Sequence, residues 1–184
     1  MRRLGFALAT SAALTLLCSS VLSQQPDRTE AGISARGLPQ GQVRPMTVAI
    51  AKRLVAAAKK AACSPGGACG GAFAVVDDAG VLVYLEIIDG VEAGGPDLAI
   101  RKAKASALWR RPTQVFREAV DHKTNTSYAD GTFSDMTTSP GGIPIFRGGR
   151  VVGGFGPAST GSNEATQQID GAVLAEAAKI FGKQ

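Results

Sequence analysis

The stretch that decides the fold runs from Gly71 to Ile88 and reads GAFAVVDDAGVLVYLEII. Two apolar runs rich in β-branched residues flank the segment DDAG at 77–80, whose composition is typical of a tight hairpin turn. After the turn, apolar residues alternate from Val81 to Ile87 as in a β-strand. The sequence therefore predicts a central antiparallel hairpin whose two arms pack against helices.

Helical patterns and a second hairpin surround this stretch. Asp97 has the chemistry of a helix N-cap, and Gly153, Gly154 and Gly156 leave room for another backbone or a ligand to come close. The element order α-β-β-α-α-β-β-α predicts an α+β domain, an antiparallel sheet with packed helices, with a further strand within Gly131 to Thr137. Helices are predicted from Pro45 to the break at Pro65, and over Leu98 to Trp109, Gln114 to His122 and Glu164 to Phe181. In the third of these helices Val115 and Ala119 are predicted to face inward. The second hairpin joins Ile143–Phe146 to Val151–Phe155, and Pro144 indicates that its first arm is an edge strand.

The N-terminus has the composition of a targeting segment. Arg2 and Arg3 precede an apolar run from Leu4 to Leu17 that is too short to span a bilayer comfortably. We expect residues 1–23 to be a signal peptide, 24–44 a flexible leader and 45–184 the folded domain. The protein is therefore expected to be exported, either to the periplasm or out of the cell. Removing Arg2 and Arg3 reduces the formal net charge from +5 to +3.

Two cysteines remain after removal of the signal peptide. Cys63 and Cys69 bracket a short loop that contains Pro65. An even pair in an oxidising compartment predicts a disulfide. The alternative, a two-thiolate metal site, lacks further cysteines and a nearby histidine.

Several function classes receive no support from the sequence. The modest positive charge is not organised into runs of Lys and Arg interleaved with aromatic residues, so a nucleic-acid partner is not expected. The glycines at 141–142 and 153–156 lack the Lys-Ser/Thr ending of a phosphate loop, and no Ser-His-Asp nucleophile elbow is present.

A few side chains can carry chemistry. His122 is the only histidine and therefore the one side chain whose ordinary pKa lies near neutral pH. It opens a polar segment, residues 123–139, that contains Tyr128 and Phe133; loops of this length are usually functional or disordered. Lys102 lies in a helix of small residues, where it would neutralise a carboxylate or phenolate if it faced a pocket. Asp77 is expected to serve the turn.

Four stretches resemble the GlcG/HbpS-like family of haem-binding or haem-degrading domains, which includes the C-terminal domain of the PduO cobalamin enzymes. They are AVVDDAG after an Ala-rich helix, DLAIRKAKASAL at 97–108, PGGIPI at 140–145 and GGRVVGGFGPAS at 148–159. The resemblance covers roughly Met46 to Phe181. It implies a PAS- or profilin-like domain that forms a homo-oligomer and binds a small molecule, with haem as the usual ligand. The short apolar run at the N-terminus predicts no stable membrane insertion.

The resemblance leaves two functions open. In the first, an exported binding protein holds haem or a related aromatic ligand, with His122 as the iron ligand. In the second, relatives imply a cofactor-free carbon–carbon lyase that acts on lignin-derived aromatic dimers and releases formaldehyde. Its catalytic residues would be His122, Tyr128 and Lys102, as base and as donors to a phenolate. A protein that mainly oligomerises or modulates a partner would lack a pocket beneath the 123–139 segment. The predicted ligand-binding residues are His122, Tyr128, Lys102, Phe133, Gly141 and Gly142.

Overall fold

A computed structural model describes residues 44–63, 70–125, 137–159 and 163–184. The predicted signal peptide, the predicted leader up to Val43 and nearly all of the predicted fifth strand lie outside these ranges. Cys63 follows the first helix, but its predicted disulfide partner Cys69 lies outside them too, so this pairing stays a prediction. None of the described helices is long and apolar enough to cross a membrane.

The described elements follow the predicted order. The helices are α1 (Val48–Ala62), α2 (Gly95–Trp109), α3 (Thr113–Asp121) and α4 (Asn163–Phe181), and the strands are β1 (Gly71–Asp77), β2 (Leu82–Ile88), β3 (Ile143–Arg147) and β4 (Arg150–Ser159). The four strands form one antiparallel sheet in the order β2-β1-β4-β3. The predicted α+β class is confirmed, and Pro144 lies on an edge strand as expected.

The turn between β1 and β2 is organised by Asp77. Its Oδ1 accepts hydrogen bonds from the backbone N–H groups of Ala79 and Val81, each at 2.9 Å, and its Oδ2 contacts Arg44. The side chain is only 2% exposed. Asp77 therefore has the structural role that was expected of a turn aspartate.

Strand β1 is buried on both faces because it lies between β2 and β4 with helices above and below. Phe73 and Val75 face α1 and α4, and the Phe73 ring stacks against Phe155 of β4 at a centroid distance of 6.3 Å. The alternate residues Ala72, Ala74 and Val76 face α2. The large side chains fill one face of the sheet, and small ones allow a close helix on the other.

Helix α2 lies directly on the backbone of β4. A Cβ atom at Gly154 would lie 2.3 Å from the carbonyl oxygen of Ala103, and one at Gly156 would lie 2.2 Å from that of Ala99. These distances are far below van der Waals contact, so no side chain fits there. The room that Gly154 and Gly156 were predicted to leave is therefore filled by helix α2, and at Gly153 it is filled by the Val76 carbonyl and the Met46 side chain.

Three helix boundaries differ from the sequence predictions. Helix α1 begins at Val48 rather than at Pro45, because Thr47 is its N-cap and accepts a hydrogen bond from Ile50 N–H at 3.3 Å. Helix α2 begins at Gly95, so Asp97 lies within its first turn instead of capping it. Helix α3 ends at Asp121, one residue before His122.

The predicted inward face of α3 is wrong at Val115, whereas the other predicted inward residue, Ala119, is half-buried. Val115 is 37% exposed, whereas Phe116 is fully buried and its ring packs edge-on against Trp109 at 6.1 Å. The aromatic ring gains more from burial than the smaller valine, and the helix is rotated accordingly.

Replacing Gly156 with alanine is expected to destabilise the fold by roughly 2–3 kcal/mol, because the new methyl group would collide with the α2 backbone. The collision involves the carbonyl of Ala99 and the amide nitrogen of Ala103, neither of which can rotate away. Urea denaturation of the two proteins measures this difference.

The matched control is Gly171→Ala on the exposed face of α4, where a Cβ would meet nothing within 4 Å. There alanine is expected to stabilise the helix by about 0.5–1 kcal/mol. A Gly156→Ala protein as stable as the wild type would contradict the close helix–sheet contact.

Candidate functional site

Lys102 is a buried cation on the face of α2 that packs against the sheet. It is only 6% exposed, whereas the neighbouring Arg101 is exposed and pairs with Asp97. A Cβ at Gly156 would lie 2.8 Å from Lys102 Cβ, so the base of the lysine side chain lies directly over β4. Burial lowers the pKa of Lys102 to about 8, and the negative charge of Asp170 opposes that shift.

Three elements meet around the ammonium group at Gly141. A Cβ built on Gly141 would lie 2.7 Å from Thr166 Cγ2 of α4, 3.3 Å from Pro157 Cγ of β4 and 3.6 Å from Lys102 Nζ. Gly141 also has a φ of +107°, a conformation that side-chain-bearing residues rarely adopt. The backbone of residues 137–142 therefore approaches the ammonium closely because Gly141 has no side chain.

Thr113, the first residue of α3, fixes this segment. Its hydroxyl accepts a hydrogen bond from Gly142 N–H at 2.9 Å and donates one to the carbonyl of Ser139 at 2.8 Å. Its backbone N–H donates to the carbonyl of Gly142 at 2.9 Å. A Cβ at Gly142 would lie 2.4 Å from the carbonyl oxygen of Lys102. Thr113 and Gly142 thus hold the segment against α2.

Asp170 supplies the second charged group. It lies one turn after Thr166 on α4, so both residues point from the same face of that helix. Burial raises the pKa of Asp170 to about 7, and the positive charge of Lys102 opposes that shift. Its Oδ1 atom is buried and has no hydrogen-bond partner. A buried acceptor without a partner is costly and is uncommon in folded proteins.

Together these residues form what we call the Lys102–Asp170 pair. An ammonium group on α2 and a carboxyl group on α4 influence each other's pKa, and both pKa values lie close to neutral pH. Groups with strongly shifted pKa values cluster at functional sites. Such a pair can hold an anionic oxygen or move a proton, and this is the candidate site.

The structure brings together some of the predicted site residues. Lys102, Gly141 and Gly142 lie side by side. His122 is exposed at the far end of α3, nine residues from Thr113, which corresponds to about 13 Å along a helix axis. Tyr128 and Phe133 lie outside the described residues, so their roles stay predictions.

Sequence reasoning missed two residues of the site. Asp170 lies in a helix and was not assigned a role, although it stands beside the buried Ile169 in the stripe that faces the core. Thr113 follows the helix-breaking Pro112, and the sequence alone gives no sign of its hydrogen bonds to residues 139 and 142. Within the described residues, no group of three His, Cys, Asp or Glu side chains could hold a metal ion.

Comparison with known proteins gives a family match over most of the chain. Residues 46–178 match the family model described as haem degrading protein HbpS-like. No curated protein matches at a significant level.

Solved structures share the fold. Protein ORFY from Klebsiella pneumoniae is similar at a TM-score of 0.65 and 24% identity, over 74% of this chain and 93% of that one. A double mutant of HbpS from Streptomyces reticuli has a TM-score of 0.63 and 27% identity, over 77% and 93% of the two chains. PduOC, solved as a complex with heme, has a TM-score of 0.63 and 20% identity, over 71% and 94%.

Replacing Asp170 with asparagine is expected to stabilise the protein more at about pH 8 than at about pH 5, by on the order of 2 kcal/mol. The native pKa is raised from 3.8 to about 7. The native state therefore holds its proton more tightly than the unfolded state, and stability falls as the pH rises between these two values. Asparagine stays neutral and avoids this loss.

Urea denaturation of the Asp170→Asn protein and the wild type at both pH values measures this effect. Asp89→Asn, at an exposed turn position, is the control and should change stability equally at both. A pH-independent effect of Asp170→Asn would contradict burial of the carboxyl group.

Proposed function

Since the chain belongs to the HbpS-like family over residues 46–178, we propose that it is a small-molecule-binding protein whose ligand is haem or a related aromatic molecule. The observation that carries this proposal is the buried Lys102 ammonium beside the glycine backbone of residues 141–142. A buried cation needs a counter-charge, and the acidic groups of such a ligand supply one.

The buried Lys102 ammonium supports binding of the acidic part of haem, because it would hold a carboxylate of the ligand. Gly141 brings bare backbone beside this ammonium, and Gly142 would contribute by holding the same segment against α2. His122 remains the proposed iron ligand, because it is the only imidazole in the chain and its exposure leaves the ring accessible. Haem, when bound, would supply an iron centre for redox chemistry. Tyr128 and Phe133 complete the proposed ligand-binding set.

We also propose where this function operates. The basic and apolar character of residues 1–23 supports export to the periplasm or the medium. In that compartment Cys63 and Cys69 would form a disulfide, and the domain would assemble as a homo-oligomer. These proposals rest on the sequence and on the family.

A haemin titration of the mature protein, followed by absorbance in the Soret region, tests haem binding. We expect a sharpened, saturable band that shifts in His122→Ala. Lys102→Met is expected to weaken binding by about 10–100-fold, because a charge-assisted hydrogen bond contributes about 1.5–3 kcal/mol.

Lys60→Met is the control for the lysine variant, because Lys60 lies exposed on α1. It should bind haemin as the wild type does. A broad, non-saturating signal that is the same in the wild type and both site variants would refute the proposal.

One observation favours a second function, a cofactor-free carbon–carbon lyase that acts on lignin-derived aromatic dimers. The Lys102–Asp170 pair has pKa values of about 8 and about 7, which suit acid–base work at neutral pH. Asp170 would take the hydroxyl proton of the hydroxymethyl group as the C=O bond of formaldehyde forms and the carbon–carbon bond breaks. The released electron pair would form a C=C bond and expel the adjacent aryl ether oxygen as a phenolate, which Lys102 would stabilise. His122, which the resemblance implies as a base, and Tyr128, as a donor to the phenolate, remain part of this proposal.

The lyase is tested by incubating the protein with an aromatic dimer that carries a hydroxymethyl group and measuring formaldehyde. Asp170→Asn is expected to lower kcat by about 100-fold or more, because a positioned base contributes that much. Asp89→Asn should retain the activity. Equal turnover by the Asp170→Asn protein would remove Asp170 from the mechanism, and no turnover by the wild type would refute the lyase.

A further inference from the structure

Two groups of opposite charge are buried in the candidate site. The Oδ1 atom of Asp170 is buried and has no hydrogen-bond partner, and Lys102 is 6% exposed. Burial dominates both of their pKa shifts, which means that their mutual attraction does not compensate for lost hydration. A further polar partner for the Asp170 carboxyl group would therefore stabilise the site.

Apart from Asp170, the described residues that surround the Lys102 ammonium are uncharged. Gly141 and Gly142 present bare backbone, β4 contributes Gly156 and Pro157, and α4 contributes Thr166. The small side chains leave the Lys102 ammonium beside the main chain rather than beneath a bulky group.

The charges that face the site are few. From α2 the charged group is Lys102, and from α4 it is Asp170. The neighbouring parts of β4 and residues 141–142 contribute glycine and proline, and α3 contributes the hydroxyl of Thr113. Within the part of the chain that the structure describes, each member of the pair is the only charge that shifts the pKa of the other.

We propose that the Lys102–Asp170 pair is a subsite for one oxyanion of the ligand, a carboxylate or a phenolate, held by the ammonium and by a protonated Asp170. The ammonium donates one hydrogen bond to the anionic oxygen, and the carboxyl O–H donates another. A deprotonated Asp170 would repel the anion and compete for Lys102. Ligand binding is therefore coupled to one proton on Asp170.

The source of the proton depends on the ligand. A carboxylate is already ionised at neutral pH, so Asp170 takes its proton from solvent when the carboxylate binds. A phenol arrives with its proton and transfers it to Asp170, which leaves the phenolate beside Lys102. In both cases the occupied subsite contains a protonated Asp170, an oxyanion and a charged Lys102.

The inference deepens the proposed function, because it names the part of the ligand that enters the site. The inference rests on the proposed function only because that function places a ligand at the Lys102–Asp170 pair. A small probe tests the oxyanion subsite separately from haem binding, since it can occupy the subsite without the space or the iron ligand that haem requires.

The experiment is a calorimetric titration of the mature protein with benzoate at about pH 8, repeated in two buffers of different ionisation enthalpy. The difference between the two observed enthalpies gives the number of protons taken up. We expect the wild type to take up about one proton more than Asp170→Asn, because the amide cannot accept a proton. The variant should bind benzoate at least as tightly at this pH, since its neutral amide still donates.

Three controls accompany the titration. Benzamide, the neutral isostere of benzoate, should bind at least about tenfold more weakly to the wild type, because it lacks the charge that Lys102 recognises. Lys102→Met should weaken benzoate binding by a similar factor and leave benzamide binding unchanged. Asp89→Asn should take up as many protons as the wild type.

Equal proton uptake by the wild type and Asp170→Asn would overturn the inference, as would benzoate binding no tighter than benzamide. A haemin titration that fails while benzoate binds with proton uptake would refute the haem proposal alone. Saturable haemin binding without any benzoate binding would refute the oxyanion subsite alone.

Discussion

The close contact between α2 and β4 is the constraint on which the rest of the structure depends. Gly154 and Gly156 lie on the same face of β4, two residues apart, and backbone atoms of Ala99 and Ala103 occupy the space that their side chains would take. The helix therefore rests on main chain, while bulky side chains such as Phe73 and Phe155 fill the opposite face of the sheet. This asymmetry fixes which helix face lies against the sheet.

Burial of Lys102 follows from that contact. Lysine 102 follows Ala99 by three residues and precedes Ala103, so the register that packs the alanines also brings the lysine over Gly156. A lysine is almost never buried unless it is paired, because its ammonium group loses its hydration. The stability of the helix–sheet contact thus offsets the cost of burying this charge.

Much of the fold was accessible from the sequence, because alternation in β1 and β2 and the apolar stripe of α4 follow from simple periodicity. Ile169, Val173 and Ala177 follow each other at intervals of four residues, which predicts one helix face, and all three are fully buried. The rotation of α3 was not accessible, since Val115 and Phe116 are adjacent apolar residues and only the neighbouring Trp109 decides between them. Lys102 could be predicted as a site residue because it is a lysine among small residues of α2. Gly141 and Gly142 could be predicted because they are two consecutive glycines. Asp170 could not, because a helical aspartate is ordinarily solvated and only the packing of α4 in the folded domain buries its carboxyl group.

Binding and catalysis place the same demand on this site. A binding protein needs Lys102 to remain charged and Asp170 to stop competing for it, which protonation of Asp170 achieves. A lyase needs Asp170 to gain a proton from the substrate while Lys102 holds the resulting phenolate. Both proposed functions end with one proton on Asp170 and one anionic oxygen beside Lys102, so the same two groups would serve either of them. What distinguishes them is whether the proton comes from solvent or from the bound molecule. That is a property of the ligand rather than of the fold, and it makes one scaffold suitable for holding an acidic aromatic molecule or for transforming one.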